Sequence, residues 1–171
     1  EDFLFLFDHA YLVHDFLPTK DQTAVWKLAE QNSTTNLTVV VTSFSKVTFG
    51  GGGLSFMAAA SDNLDLIKRI RGSMVICPDK VNQKRHSNFF KDLSAVKDHM
   101  KKHADLIRPK FEIAYKALEK LDKDVGEYSQ PTGGYFITFK SQKPIASKIV
   151  EFCKEAGVLL TPAGATHPYG K

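Results

Sequence analysis

The chain has 171 residues, of which 43% are hydrophobic and 25% are charged, and its formal net charge is +4. This composition is that of an ordinary globular protein and excludes fibrous, low-complexity and disordered chains. The 23 basic and 19 acidic side chains are spread along the chain, and no apolar run reaches the roughly 20 residues that span a bilayer. We therefore expect no nucleic-acid and no membrane partner. Two isolated cysteines, Cys77 and Cys153, suit a reducing cytoplasmic compartment and no cysteine-based metal site.

The first half of the chain alternates predicted strands and helices. Residues 3–7 form a continuous apolar run, which predicts a strand buried on both faces, as in a parallel sheet. Ser61 or Asp62 is expected to cap the helix that follows the third strand. The other predicted elements here are strands over 37–41 and 54–60 and helices over 23–30, 61–72 and 81–90.

The second half begins with the longest helical pattern, over about 93–121, which Pro109 should bend. After it we predict a strand over 133–139, a helix over 144–156 that Gly157 stops, and a short strand over 158–160. The whole pattern predicts an α/β fold with a parallel-rich sheet and helices, followed by a smaller α+β subdomain. The boundary is expected near Asp92, which divides the chain into residues 1–92 and 93–171.

Chemistry is expected at the carboxyl ends of the predicted strands, where open α/β sheets bind ligands. Lys46 follows the strand over 37–41 among small hydroxyl residues, and a partly desolvated lysine there can react with a carbonyl. A solvated loop lysine is the alternative interpretation. The four glycines at 50–53 could bring backbone amides close to a phosphate, or they could form a flexible turn.

Asp8 and Tyr11 follow the first predicted strand. A buried carboxylate at this place needs a cationic partner such as a protonated ring nitrogen, although an Asp that starts a turn is the alternative. His99 and His103 stand four residues apart on the long helix but lack the Glu of a metalloprotease helix. We interpret them as an exposed helix face and predict no metal site.

The segment Asp8-His9-Ala10-Tyr11, followed along the chain by Ser43-Phe44-Ser45-Lys46, resembles the cofactor region of fold-type I pyridoxal-phosphate enzymes, the aspartate aminotransferase family. The similarity is greatest to the MocR-like bacterial aspartate aminotransferases. The stretches that carry it are Asp8-His9-Ala10-Tyr11, Ser43-Phe44-Ser45-Lys46-Val47-Thr48-Phe49, Pro78-Asp79-Lys80-Val81-Asn82-Gln83, Arg108-Pro109-Lys110-Phe111, Gly133-Gly134-Tyr135-Phe136 and the final stretch over 161–171. The resemblance implies that 1–92 are the remainder of the large pyridoxal-phosphate-binding domain and 93–171 a truncated small C-terminal subdomain.

The resemblance also implies roles for individual residues. Lys46 would form the internal aldimine, a Schiff base with pyridoxal 5'-phosphate, and later move the proton between the substrate Cα and the cofactor. Asp8 would keep the pyridine nitrogen protonated, and Tyr11 would donate a hydrogen bond to the phenolic oxygen. The cofactor phosphate would be bound by a set of hydroxyls and backbone amides, those of Ser43, Ser45, Gly50 and Gly51.

Two positions depart from the pattern that the resemblance implies. Leu54 stands eight residues after Lys46, where aminotransferases of this family carry an arginine that binds the phosphate, and His9 stands where the subgroup has an asparagine.

The reaction that the resemblance implies is amino-group transfer between a small amino acid, with aspartate favoured, and 2-oxoglutarate, in a homodimer. The alternative is the effector-binding domain of a MocR-type transcription regulator. We expect this chain to be a central and C-terminal piece of a longer protein, inactive alone.

Overall fold

The structure is a computed structural model that describes residues 3–17 and 24–170. Five strands are described: β1 (Phe5–Asp8), β2 (Thr38–Ser43), β3 (Ser55–Ala59), β4 (Gly126–Tyr128) and β5 (Phe139–Ser141). The α-helices over the same ranges are α1 (Val25–Gln31), α2 (Ser61–Met74), α3 (Lys80–Phe89), α4 (Leu93–Leu118) and α5 (Ala146–Glu155). None of the described helices is both long and apolar enough to cross a membrane.

The chain forms two compact units. One contains the described residues up to Arg108 together with Thr132–Gly134, and the other contains Pro109–Pro131 and the described residues from Tyr135 onward. The change of unit therefore falls at Pro109 within α4, whereas the sequence pattern places a boundary near Asp92. The assignment of 1–92 and 93–171 to a large and a small domain stays a prediction.

β2 is the central strand of the sheet in the first unit. It pairs in parallel with β1, so that Asp8 lies opposite Val41, and antiparallel with β3, so that Ser43 lies opposite Ser55. β-branched residues fill most of β2, and such residues favour the pleated backbone of a buried strand. The mixed α/β class and the parallel first pair are confirmed, while the third strand runs in the opposite direction.

The predicted burial of the first strand on both faces is wrong for the described part of the chain. Phe5 is 51% exposed and Leu6 is 68% exposed. β1 lies at the edge of the sheet and pairs with β2 on one side. The described segments thus leave much of its apolar surface in contact with solvent, which costs hydrophobic free energy.

The apolar core of the first unit forms where the turn after β2 meets α4. Val47, Val96 and Met100 are buried together, and Phe44 and Phe90 pack against them. Val96 and Met100 are four residues apart on α4 and therefore lie on one face of the helix. This core attaches α4 to the end of the central strand.

The predicted strand over 133–139 is wrong, since β5 begins only at Phe139. Gly134 has φ +76°, a left-handed conformation that a regular strand does not contain. The backbone of this segment instead bonds to the loop after β1: Phe16 N donates to Thr132 O and Gly134 N donates to His14 O. A Cβ at Gly133 would lie 2.8 Å from His14 O, so this approach requires glycine.

The predicted helices correspond to α1 to α5, but the predicted cap of α2 and the strand predicted after α5 are wrong. The N-cap of α2 is Ala60, which makes no side-chain cap hydrogen bond. α5 ends at Glu155 and Gly157 stops it, as predicted, with φ +82° and with Val158 N donating to Cys153 O, which is a Schellman cap. This cap uses the N–H of Val158, and no strand forms over 158–160 in the described structure.

The second unit contains the antiparallel pair of β4 and β5 and a partly buried contact on the last part of α4. The Tyr115 hydroxyl donates to Pro131 O at 3.3 Å, and its ring stacks on Tyr128. Burial, with a smaller contribution from the charge of Tyr128, raises the pKa of Tyr115 above its ordinary value. The neutral phenol is therefore the form that this fold stabilises.

We predict that Val47→Ala in the full-length protein lowers its free energy of unfolding by about 2 kcal/mol, because two buried methyl groups are lost and a cavity is left. Val47 is 3% exposed, whereas Val81 on α3 is 64% exposed and provides the matched control. Val81→Ala should change the free energy by less than about 0.5 kcal/mol. Urea unfolding of both variants measures the difference, and equal effects would contradict the proposed core.

Candidate active site at the carboxyl edge of the sheet

Asp8, the last residue of β1, lies at the carboxyl edge of the parallel pair. Its carboxylate is exposed and accepts a hydrogen bond from Ala10 N at 3.0 Å. The next residue ties the strand end to β2, since His9 N donates to Val41 O and the Thr42 hydroxyl donates to His9 O. The ends of β1 and β2 are thus fixed side by side at one edge.

Residues 44–48, here called the lysine turn, follow β2. The amides of Val47 and Thr48 both donate to Phe44 O, and Phe44 N donates to Leu54 O at 2.7 Å. Val47 is buried in the core while Lys46, the residue before it, is exposed. Burial of one side chain of the turn therefore holds the preceding lysine at the surface.

The structure brings Lys46 and Tyr11 together. The Lys46 Nζ lies 5.3 Å from the centre of the Tyr11 ring, a distance at which an ammonium group is attracted to an aromatic face. Tyr11 lies three residues after Asp8 in the loop that follows β1. A carboxylate, a phenol and a primary amine thus share the carboxyl edge of two neighbouring parallel strands.

The predicted phosphate-binding residues lie in two places. Ser43 ends β2, and Ser45 lies in the lysine turn. Both side chains are half-buried. A Cβ at Gly53 would lie 2.7 Å from the Ser45 Oγ, which shows how closely the glycine loop packs against this turn. Gly50 and Gly51 are exposed, and Gly51 has φ +79°.

A cavity of about 1150 Å³ lies beside α3, and Gly51 and Gly53 line it. Among the residues that the structure describes, its lining does not include Asp8, Tyr11 or Lys46. Gly51 and Gly53 therefore border a cavity whose lining does not include Lys46. A cofactor-binding role for Gly50 and Gly51 stays a prediction.

Histidines form contacts with the lysine turn that the sequence did not predict. His14 Nε2 lies 3.1 Å from Lys46 O, and His99 Nε2 lies 2.8 Å from Val47 O. His86 Nε2 lies 3.0 Å from the Thr48 Oγ1, and the His86 ring stacks between Phe44 and Phe49. Three consecutive residues of the chain each contact one histidine.

The interpretation of His99 and His103 as an exposed helix face is wrong, because both side chains are half-buried. The His103 ring packs edge-on against His14, with 5.7 Å between the ring centres. Both residues lie on a row next to the buried face of α4. Their spacing of four, in phase with the apolar residues of the same helix, is the signal that could have located them.

Metal binding finds no support in the described part of the chain. No group of three or more His, Cys, Asp or Glu side chains in these ranges is placed to hold a metal ion.

The chain is similar in sequence to known aminotransferases. Residues 1–171 match the sequence model of the family described as aspartate amino-transferase. The aspartate aminotransferase of Corynebacterium glutamicum is 36% identical over 173 residues, which cover 98% of this chain and 39% of that protein. The chain spans about two-fifths of the length of the curated relatives that it matches.

Solved structures agree with the sequence matches. The crystal structure of an aspartate transaminase from Corynebacterium glutamicum superposes with a TM-score of 0.86 at 35% identity, covering 99% of this chain and 41% of that one. The alpha-aminoadipate aminotransferase of Thermus thermophilus, complexed with N-(5'-phosphopyridoxyl)-L-leucine, has a TM-score of 0.79 at 20% identity. That match covers 94% of this chain and 41% of the other, and it is a likeness of fold.

We predict that Gly53→Ala disturbs the lysine turn, whereas Gly50→Ala does not. The added Cβ would lie 2.6 Å from the Ser45 Cα at Gly53, but it would meet no heavy atom within 4 Å at Gly50. Overpacking of this kind costs about 1–3 kcal/mol. Amide hydrogen exchange of the peptide containing residues 44–48 should therefore rise in the Gly53 variant of the full-length protein. Unchanged exchange in that variant would rule out the close packing.

Proposed function

Because the chain belongs to the aspartate aminotransferase family, we propose that it carries the cofactor-binding lysine of an aminotransferase that depends on pyridoxal 5'-phosphate. The observation that carries the proposal is the placement of the Lys46 Nζ over the Tyr11 ring, at the carboxyl edge of the strands that end in Asp8 and Ser43. Ligands bind at this edge in open α/β sheets. The phosphopyridoxyl group held by the Thermus thermophilus neighbour agrees with this choice of cofactor.

The residues present fit this cofactor by the chemistry of their donor groups. An aldehyde needs a primary amine, which Lys46 offers, and a protonated pyridine nitrogen needs an anion, which Asp8 offers. A phenolate oxygen needs a donor, which the Tyr11 hydroxyl provides. Bound pyridoxal phosphate supplies an electron sink that stabilises a carbanion at the substrate Cα.

Each side chain would then have a defined task. The Lys46 Nζ would hold the cofactor through its aldehyde and would move a proton to and from the substrate Cα. The Asp8 carboxylate would hold a proton on the ring nitrogen, and the Tyr11 hydroxyl would donate a hydrogen bond to the cofactor oxygen. These tasks need a carboxylate, a phenol and an amine at one sheet edge, which is where the three residues lie.

The phosphate is the least conventional part of the proposed site. Leu54 replaces the arginine of the expected pattern, and its carbonyl accepts a hydrogen bond from Phe44 N. We propose that the hydroxyls of Ser43 and Ser45 bind the phosphate, with backbone amides of Gly50 and Gly51. Hydroxyl and amide donors can bind an anion without a cationic side chain.

We propose aspartate or another small amino acid and 2-oxoglutarate as the substrates. The Corynebacterium glutamicum relative, which is named an aspartate aminotransferase, supports this choice. We also propose that the protein belongs to the MocR-like subgroup and forms a homodimer. We propose further that residues 1–92 belong to a large domain and residues 93–171 to a small subdomain. The resemblance of the motifs supports these three proposals.

We predict that Lys46→Ala in the full-length protein abolishes the visible absorbance of lysine-bound cofactor and lowers kcat by more than about 100-fold, because the residue that moves the proton is gone. Lys97→Ala is the matched control, since Lys97 is an exposed lysine on α4. Absorption spectra and a coupled transamination assay measure both effects. A normal visible band in the Lys46 variant would exclude the assignment.

A further inference from the structure

We propose that His14 and His99 are positioning residues that hold Lys46 in place through the backbone of the lysine turn. The role rests on the function proposed for Lys46. His14 comes from the loop after β1 and contacts the carbonyl of Lys46, while His99 comes from α4 and contacts the carbonyl of Val47. Side chains from two separate elements therefore form hydrogen bonds with the two peptide units that follow the Lys46 Cα.

The direction of both hydrogen bonds follows from the acceptors. A backbone carbonyl oxygen can only accept, so Nε2 carries the hydrogen in His14 and in His99. The hydrogen bonds that the turn makes within itself converge on Phe44 O, so the histidines add donors from outside the turn. The backbone around Lys46 is thereby fixed to other parts of the first unit.

The imidazole rings of His14 and His99 are held in fixed positions, so each N–H donor has a defined direction. His14 is 4% exposed, and hydrogen bonds shielded from water are stronger than exposed ones. The His99 ring packs edge-on against Phe89 and Phe90, with ring centres 5.5 and 5.3 Å away. Packing restricts the rotamers of both side chains, which is what positioning a neighbouring group requires.

His14 connects the two functional side chains of the edge. Its ring centre lies 5.3 Å from that of Tyr11, in an edge-on contact, while its Nε2 reaches Lys46 O. One buried ring therefore sets the distance between the phenol and the backbone that carries the amine. Because the side chain of Lys46 has a flexible four-carbon stem, the anchored position of its Cα limits the region that the amine can reach.

The consequence is a specific effect on reactivity. Without the two N–H donors, the Lys46 amine would spend less time at the position from which it attaches the cofactor and moves the proton. Attachment of pyridoxal phosphate and kcat should both slow, while KM for the amino acid should change little. A residue needed only for folding would lower stability without this selective pattern.

The experiment compares donor-keeping and donor-lacking variants of the full-length protein. His14→Gln and His99→Gln place an amide N–H at a reach similar to that of Nε2, His14→Phe and His99→Phe keep a ring but remove the donor, and His14→Asn is polar but too short. The first measurement is amide hydrogen exchange of residues 44–48 in the cofactor-free protein. The second is the rate at which visible absorbance rises when pyridoxal phosphate is added, followed by kcat and KM.

We expect the Phe variants to exchange faster in the turn and to attach the cofactor more slowly, each on the order of tenfold, which is the loss of one good hydrogen bond. The Gln variants should stay within about threefold of the wild type. If His14→Phe does not fold, the Gln and Asn variants at position 14 decide the matter in the same way. Phe variants that match the wild type, or Gln variants as impaired as folded Phe variants, would overturn the proposal.

The two proposals fail in distinguishable ways. If the wild type itself attaches no cofactor to Lys46, the proposed function is wrong, but hydrogen exchange in the cofactor-free protein still reports whether the histidines hold the turn. If the wild type attaches cofactor normally and the donor-lacking variants do too, the positioning role alone is wrong.

Discussion

Burial of Val47 is the constraint on which the candidate site depends. The side chain packs into the core with Val96 and Met100, and this fixes the turn that carries Lys46. Neighbouring side chains of a tight turn point in different directions, so an anchored Val47 leaves the preceding lysine exposed at the carboxyl edge of the sheet. The Lys46 amine is thus located by a hydrophobic contact on the other side of the backbone.

The parallel pairing of β1 and β2 supplies the second half of the arrangement. With Asp8 opposite Val41, the loops after both strands leave the sheet at the same edge, and Tyr11 comes within reach of Lys46. The histidines then connect these loops to each other and to α4. A strand register, one buried valine and a few backbone hydrogen bonds together place groups that are more than 30 residues apart in sequence.

Local signals predicted most of the helices and the first three strands, because β-branched runs and periodic apolar residues report on backbone and burial. Asp8 and Lys46 were predictable as strand-end residues for the same reason. The contacts of His14 and His99 were not, since they join residues 32 and 52 positions apart and depend on which carbonyls the turn leaves for outside donors. The strand predicted over 133–139 is wrong because the apolar residues there resemble those of a strand, whereas Gly134 is left-handed and its N–H donates to His14 O.

The central claim is that Lys46 is the amine that binds the cofactor. Borohydride reduction of the full-length protein with pyridoxal phosphate, followed by proteolysis and mass spectrometry, tests it directly, because reduction makes the link between lysine and cofactor permanent. We expect one phosphopyridoxyl group on the peptide that contains Lys46. A label on a different lysine, or no label at all, would contradict it.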